Sequence, residues 1–153
     1  DSNQENKTFG LDYNFFEYTR SNKQTVSIGV SFTQLKTNFN TGSKSWAISI
    51  YPQLTLFPSE DSWLFNQALK TTTPYFFVRA LGPTYLNNNT LGDREQSRNF
   101  TFQAQVGLGI LFKTKSNKEN FLFLSWKHFS NANLFSKNDG FDFPVVIGFG
   151  LKF

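Results

Sequence analysis

The 153-residue sequence contains no cysteine and no methionine. Without cysteine, neither a disulfide framework nor a cysteine-ligated metal site can form. Long apolar runs are missing as well, since no segment approaches the ~20 consecutive apolar residues of a membrane-spanning helix. There is one histidine, and the acidic residues form no clustered ligand set, so the sequence predicts neither a metal site nor a cofactor.

Strong charge of one sign is also lacking. The net charge is +4, which suits contact with an anionic surface such as lipid phosphates but is too weak a signal for nucleic-acid binding. No signal peptide is recognisable, and the sequence opens on Asp1, which favours a processed or trimmed product.

Aromatic residues are abundant: the chain has 20 phenylalanines, yet its mean hydropathy is −0.39. The two values are compatible because apolar residues alternate with Ser, Thr, Gln, Asn and Gly. Alternation gives a polar average together with a continuous apolar face, as in strands that have one apolar side. The length suits a single domain over residues 1–153.

Seven segments show this period-two alternation and are predicted to be strands. They are residues 8–19, 26–33, 46–56, 75–86, 100–113, 121–130 and 145–153. Pro52 predicts a bulge in the third strand. Residues 58–69 break the period and are predicted to form a loop with a short helix, and residues 87–95 are predicted to be a polar loop.

Alternation alone does not say which face is wet, because a soluble barrel points its apolar face inward and an outer-membrane barrel points it toward lipid. The membrane alternative is favoured by the uniform apolar face, by the small polar residues opposite it, and by the final aromatic Phe153 in phase with the apolar face. The predicted fold class is therefore all-β, an antiparallel up-and-down transmembrane β-barrel in the bacterial outer membrane.

Bacterial single-chain barrels have an even number of strands, so eight are expected although seven are visible. If Phe153 lies at the periplasmic side, the longer polar segments 37–43, 87–95 and 131–141 are the outer loops. The strand at 8–19 then runs toward the periplasm. Either a first strand lies upstream of residue 1, or residues 58–69 hide a strand and the orientation of the early strands reverses. The first alternative is favoured, because residues 21–23 are short like a periplasmic turn.

The sixth strand contains the only histidine, His128, two residues before Ser130. Residues i and i+2 of a strand share a face, so a base and a nucleophile would project side by side. Both are in phase with the apolar residues Leu122, Leu124 and Trp126. On the membrane reading they face lipid near the outer rim, where a polar pair is costly unless it has a use.

The run His128-Phe129-Ser130-Asn131-Ala132, followed by Asn138-Asp139-Gly140 and an acid at Asp142, resembles the signature of the PagL-type lipid A 3-O-deacylases. The close match covers about 25 C-terminal residues, and the barrel pattern extends it loosely over the chain. The resemblance implies an eight-stranded outer-membrane barrel that hydrolyses the 3-O-linked acyl chain of lipid A, with a Ser/His/Glu triad on its outer surface.

By position, the resemblance assigns Ser130 as nucleophile, His128 as general base and Asp142, where the family has Glu, as the residue that orients the imidazole. It assigns the oxyanion hole to the Asn131 side chain and to the main-chain N–H at Asn133, where the family has glycine.

Strict alternation puts Asp142 out of phase with the last strand. A bulge near Pro144 would return Asp142 to the outer face. Without such a bulge, Asp139 would be the candidate third member of the triad.

Two other functions stay open at this stage: a non-enzymatic outer-membrane barrel with a structural or adhesive role, and a soluble lipid-binding barrel. On the enzyme reading the partners are lipid A or lipopolysaccharide as substrate and the surrounding outer-membrane lipids. Nucleic acid is not expected, and a homodimer is left open. Arg94, Arg98, Lys127 and Lys137 are candidates for contact with lipid A phosphates, although ordinary loop or interior charge is the favoured explanation.

Overall fold

The structure is a computed structural model that describes residues 4–58, 72–114 and 118–152. The described residues form strands with the following bounds: β1 (Asn6–Ser21), β2 (Gln24–Thr37), β3 (Lys44–Leu56), β4 (Thr72–Leu86), β5 (Thr90–Leu91), β6 (Arg94–Glu95), β7 (Phe100–Lys113), β8 (Glu119–Ser130) and β9 (Phe141–Leu151).

Seven strands form one antiparallel sheet in the order β1-β2-β3-β4-β7-β8-β9, and β5 pairs with β6 in a separate small hairpin. The predicted all-β class and each of the seven predicted strands are confirmed. The loop predicted at 87–95 is wrong in part, because it holds this hairpin, whose two-residue strands are too short to show alternation. The predicted short helix at 58–69 falls almost entirely outside the described residues. None of the described elements is a helix long and apolar enough to span a membrane.

Two interior contacts show that the sheet curls round on itself. Lys127 Nζ on β8 donates to Thr33 Oγ1 on β2 at 2.9 Å, and Arg79 on β4 pairs with Asp12 on β1. The curl brings the edge strands β1 and β9 toward each other. They are joined through side chains at both ends, by Asn6 Nδ2 donating to the Asp142 carbonyl at 3.1 Å and by Lys152 Nζ to Glu17 Oε1 at 2.8 Å. Among the described residues, no backbone ladder joins these two strands.

The apolar face points outward, away from the curled interior. On β9, Val145, Ile147 and Phe149 are 65–72% exposed. The interior is polar in its middle, where Arg79 donates hydrogen bonds to Gln53, Gln105 and Asp12. This is the arrangement of an outer-membrane barrel.

Aromatic rings fill the interior toward the end where the short β1–β2 and β7–β8 connections lie, which we call the turn end. There, glycines face the rings: a Cβ at Gly148 would collide with Phe123, and one at Gly109 would collide with Tyr75. The opposite end, where residues 38–43, 87–99 and 131–140 connect the strands, is called the loop end.

Two register shifts are relevant to the predictions. The bulge expected at Pro52 is not in β3: the extra residue is in β4, near Leu81, which has a φ of 53°. Pro52 lies in the stretch of β3 that does not pair with β4, so its missing N–H removes no bond to that strand. The second shift, in β9, places a site residue and is described below.

Candidate active site

His128 and Ser130 lie near the loop-end terminus of β8, on its outward face. Outward residues of this strand alternate with buried ones, so Trp126 is exposed while Lys127 and Phe129 are buried. The His128 side chain is 24% exposed. The two polar side chains therefore sit at the upper edge of an apolar surface, where they can be reached from the side.

Asp142 is brought to the same face by a bulge in β9. Ser125 pairs with Val146, but Lys127 pairs with Phe143, so β9 has one more residue than β8 between these pairs. The predicted bulge near Pro144 is thus confirmed. It leaves His128 directly opposite Asp142, and cross-strand partners of an antiparallel pair are close enough for their side chains to bond.

The imidazole and the carboxylate are in contact, with His128 Nδ1 and Asp142 Oδ1 2.8 Å apart. A proton on Nδ1 is donated to the carboxylate in the neutral tautomer that leaves Nε2 as the free base. Asp139, the alternative third member, lies elsewhere: its Oδ2 accepts a hydrogen bond from the main-chain N–H of Glu95.

Two further groups hold the ring. The Trp126 indole stacks on it with centroids 5.3 Å apart and planes inclined by 15°. Gly140 lies against its edge, since a Cβ there would collide with Cε1 and approach Nε2 within 3.1 Å. The glycine of the Asn-Asp-Gly run therefore leaves space for the imidazole.

Ser130 is half-buried and cross-strand from Phe102. Its hydroxyl makes no hydrogen bond to His128 among the contacts of the described residues. The structure thus joins two members of the predicted triad by a hydrogen bond and brings the third onto the same face without bonding it.

The oxyanion-hole candidates lie in the loop after β8. Asn131 is fully buried, and its side-chain amide donates a hydrogen bond to the Lys137 carbonyl. This bond joins the start of the 131–140 loop to a residue near its end. Ala132 and Asn133 have φ values of 54° and 60°. Within the described part of the chain, the main-chain N–H groups of these two residues donate no hydrogen bond, whereas the Asn133 side chain accepts one from Asn138 at 2.8 Å.

Gln96 was missed by the sequence reading. It is fully buried, and its Oε1 accepts the Asn131 main-chain N–H at 3.1 Å, alongside Asn138 Oδ1 at 2.8 Å. It also bridges to Asn138 through the backbone. The segment reads as an ordinary polar loop, so no sequence signal distinguishes this glutamine from its neighbours.

Charged groups of the same loops pair with each other. Lys137 Nζ lies 2.6 Å from Glu95 Oε2, and this hydrogen bond raises the pKa of the lysine above its ordinary value. Arg98 lies over the Phe135 ring at 4.5 Å, and Lys127 is buried inside the barrel. Of the four cations named as candidates for lipid phosphates, Arg94 lines the groove described next.

A groove of about 490 Å³ opens beside Asp142, between the loop-end termini of β1 and β9. It is lined by Gln4, Glu5, Asn6, Lys7, Arg94, Gly140, Asp142 and Pro144, all of them polar or charged except Gly140 and Pro144. An oriented imidazole, a neighbouring hydroxyl and an adjoining polar groove, all on an apolar outer wall, are suited to nucleophilic attack on an ester whose acyl chain lies in a membrane.

Comparisons with known proteins identify the family and the fold. The family model described as "Lipid A 3-O-deacylase (PagL)" matches residues 7–148. Among solved structures, the "Crystal structure of the outer membrane enzyme PagL" is similar with a TM-score of 0.67 and 13% identity, covering 97% of this chain and 90% of that one. At this identity the likeness concerns the fold alone. A search of curated proteins finds no match.

Proposed function

Because the chain belongs to the lipid A 3-O-deacylase (PagL) family, we propose that it is a serine esterase of the bacterial outer membrane that removes the 3-O-linked acyl chain of lipid A. Ser130 is the nucleophile, His128 the general base and Asp142 the residue that orients the base. The substrate is approached from the lipid side of the barrel, and the reaction uses no cofactor.

The observation that supports this proposal best is the contact of 2.8 Å between His128 Nδ1 and Asp142 Oδ1 on an outward face. A bulge of one residue is needed to produce it, and a bulge next to a site is typically a means of re-aiming a side chain. A structural or adhesive barrel has no need of a carboxylate and an imidazole paired at the edge of its apolar wall.

In the proposed reaction, His128 Nε2 takes the proton of Ser130 Oγ as this oxygen attacks the ester carbonyl carbon. The sugar hydroxyl leaves with that proton, and an acyl-serine remains. Water, deprotonated by the same imidazole, then attacks the acyl-serine and releases the fatty acid. Asp142 keeps the imidazole in the productive tautomer and stabilises the imidazolium formed in each step.

The missing hydrogen bond between Ser130 and His128 fits this scheme if the hydroxyl rotates when substrate arrives. Rotamer changes of exposed side chains take picoseconds to nanoseconds, and catalytic hydrogen bonds often tighten only with substrate bound.

We assign the oxyanion hole to Asn131 and Asn133. The left-handed turn at Ala132 and Asn133 favours the main-chain N–H groups as donors, and the bond from Asn131 to Lys137 means that the side-chain donor requires a shift of the loop.

The proposal includes a single barrel domain over residues 1–153.

The proposal is tested by mass spectrometry of lipid A from a bacterial host that lacks the activity. Cells expressing the wild-type protein should yield lipid A lighter by one 3-O-linked acyl chain, and cells expressing Ser130→Ala should not. Ser136→Ala, an exposed serine of the same loop, is the matched control and should behave as wild type. Folded wild-type protein with an unchanged acyl pattern would exclude the enzyme.

A further inference from the structure

Three lysines occupy one row across three neighbouring strands at the loop end. Lys7 on β1 is the cross-strand partner of Lys36 on β2, and Lys36 is in turn the partner of Lys44 on β3. All three side chains are exposed. Each is in phase with the outward apolar residues of its strand, such as Phe9, Phe32 and Ile48, so the row stands on the outer wall.

The positive charges of this row are not balanced by neighbouring carboxylates among the described residues. Like charges directly opposite each other destabilise a strand pair, yet among the described residues none of the three lysines forms an ion pair with a carboxylate. Glu5, exposed on the same strand end, lines the groove with Lys7 but lies beyond ion-pair distance. Two unfavourable juxtapositions in succession indicate that anions from outside the chain complete the row.

The row lies at the height of lipid headgroups. Directly below it on the outer wall, Trp46 stacks on Phe32 with centroids 6.1 Å apart and contacts Tyr85 at 5.9 Å. Such aromatic rings mark the interface between hydrocarbon and water. Lysines one step above this belt reach the level of the phosphates, where each basic side chain adds to the attraction of an anionic leaflet.

The row also begins at the candidate site. Lys7 and Asp142 line the same groove, so the first lysine stands on the far side of that groove from the imidazole. Strands of a sheet are ~4.8 Å apart, and three lysines therefore span about 10 Å of the rim. That length suits a headgroup bearing two phosphates on a disaccharide better than it suits a single small anion.

We propose that Lys7, Lys36 and Lys44 form a phosphate-binding row for the headgroup of a bisphosphorylated glycolipid, the substrate class of this barrel. The inference rests on the proposed function for the identity of that glycolipid. The lysine ammonium groups bind the phosphates. The sugar between the phosphates then extends over the groove, and this position brings the ester of the glycolipid to Ser130.

Binding is measured without turnover, in the Ser130→Ala background, so that it does not depend on activity. Native mass spectrometry in neutral detergent follows titration with bisphosphorylated lipid A, with the same lipid A after enzymatic removal of both phosphates, and with phosphatidylglycerol. The test variant is Lys7→Gln/Lys36→Gln/Lys44→Gln. The matched control removes the same charge at the turn end, in Lys23→Gln/Lys113→Gln/Lys118→Gln. Heat-modifiable migration on gels confirms that each variant is folded.

The expected result is binding of bisphosphorylated lipid A at least tenfold weaker in the test variant and within twofold of the parent in the control, with equal, weak binding of the dephosphorylated lipid by all. If the test variant binds bisphosphorylated lipid A as tightly as the parent does, the proposed phosphate-binding role of the three lysines is wrong. It is also wrong if the parent binds phosphatidylglycerol as tightly as bisphosphorylated lipid A, because that result would show a general preference for anionic lipids.

Turnover separates the row from the function on which it rests. If the wild type deacylates lipid A and the lysine variant does so with unchanged KM, the proposed role of the lysines is wrong and the proposed deacylase activity is confirmed. If the expected binding difference is found but the wild type does not deacylate lipid A, the three lysines form a glycolipid-binding site and the proposed deacylase activity is wrong.

Discussion

His128 and Asp142 are direct cross-strand partners on β8 and β9, and their side chains meet with Nδ1 and Oδ1 2.8 Å apart. The aspartate is one methylene shorter than the glutamate of the resembling family. It bridges this distance because it stands opposite the histidine rather than diagonal to it. The short side chain and the register are therefore matched.

Exchange of this carboxylate is predicted to remove activity without unfolding the barrel. Asp142→Asn retains the shape but favours the wrong imidazole tautomer, so kcat should fall by roughly 10³–10⁴-fold. Asp142→Glu keeps the charge, but its longer side chain does not fit the distance to the imidazole, so a smaller decrease of kcat is expected. Initial rates on purified lipid A measure both. A kcat for Asp142→Asn within threefold of wild type would show that the carboxylate has no part in the reaction.

The bulge in β9 is predicted to be required for the site. Deletion of Val145 removes the extra residue, and the residues before it must then change faces, since a shift of one residue inverts the parity of a strand. Asp142 would point into the barrel. We expect loss of deacylation together with a heat-modifiable, folded band, and retained activity would contradict this account of how Asp142 reaches the outer face.

Gly140→Ala is predicted to displace the imidazole, because the new Cβ would collide with His128 Cε1. The expected result is a loss of activity of at least tenfold and a loss of stability of about 1–3 kcal/mol, as for other overpacked sites. The urea unfolding midpoint of Gly140→Ala should be recovered in His128→Ala/Gly140→Ala, where the collision is gone. Equal destabilisation in both backgrounds would assign the effect to the backbone instead.

Gln96→Ala is predicted to loosen the loop that follows Ser130. It deletes one of the two acceptors of the Asn131 main-chain N–H, in a fully buried position, and a hydrogen bond of this kind contributes about 0.5–1.5 kcal/mol. Amide hydrogen exchange should rise across residues 131–140, and kcat should fall while the strands stay protected. The control is Ser97→Ala, whose buried hydroxyl has no partner in the described structure. Equal effects of the two changes would rule out the specific role of the glutamine.

The interior ion pair gives a prediction about stability. Arg79→Met leaves the part-buried Asp12 without its partner, and the loss of stability should stay below the roughly 3–5 kcal/mol typical of breaking a fully buried pair. Asp12→Asn/Arg79→Met removes both charges and should recover most of the loss in urea unfolding experiments with the barrel in lipid vesicles. If the double variant is as unstable as the single one, the packing of Arg79 over the Tyr51 ring, 3.9 Å away, is the larger contribution.

The strands were predictable because alternation is a property of the sequence itself. Each of the seven strands of the large sheet, and the outward position of Trp126 and its neighbours, follows from period two. The bulge at Pro144 was also predictable, since parity on either side of it conflicts and proline marks the place. The bulge in β4 was signalled but assigned to the wrong strand: Pro52 lies in the facing stretch of β3, and Leu81, which has the positive φ, directly precedes Gly82 and Pro83.

Contacts between loops that are distant in the sequence could not be predicted from it. The support that Gln96 gives to Asn131 depends on how the 87–99 segment folds over the loop end, which local pattern does not specify. The lysine row was likewise hidden, because Lys7, Lys36 and Lys44 become neighbours only when the register of two strand pairs is known.

The aromatic rings at the turn end have a consequence for how such an enzyme is supplied. With Phe123 against Gly148 and Tyr75 against Gly109, the described interior is occupied by side chains there. Under the proposed function, substrate and products therefore move sideways in the leaflet instead of along the barrel axis. The reaction rate should accordingly follow the surface density of the glycolipid around the barrel, not its bulk concentration, and should slow when the leaflet stiffens.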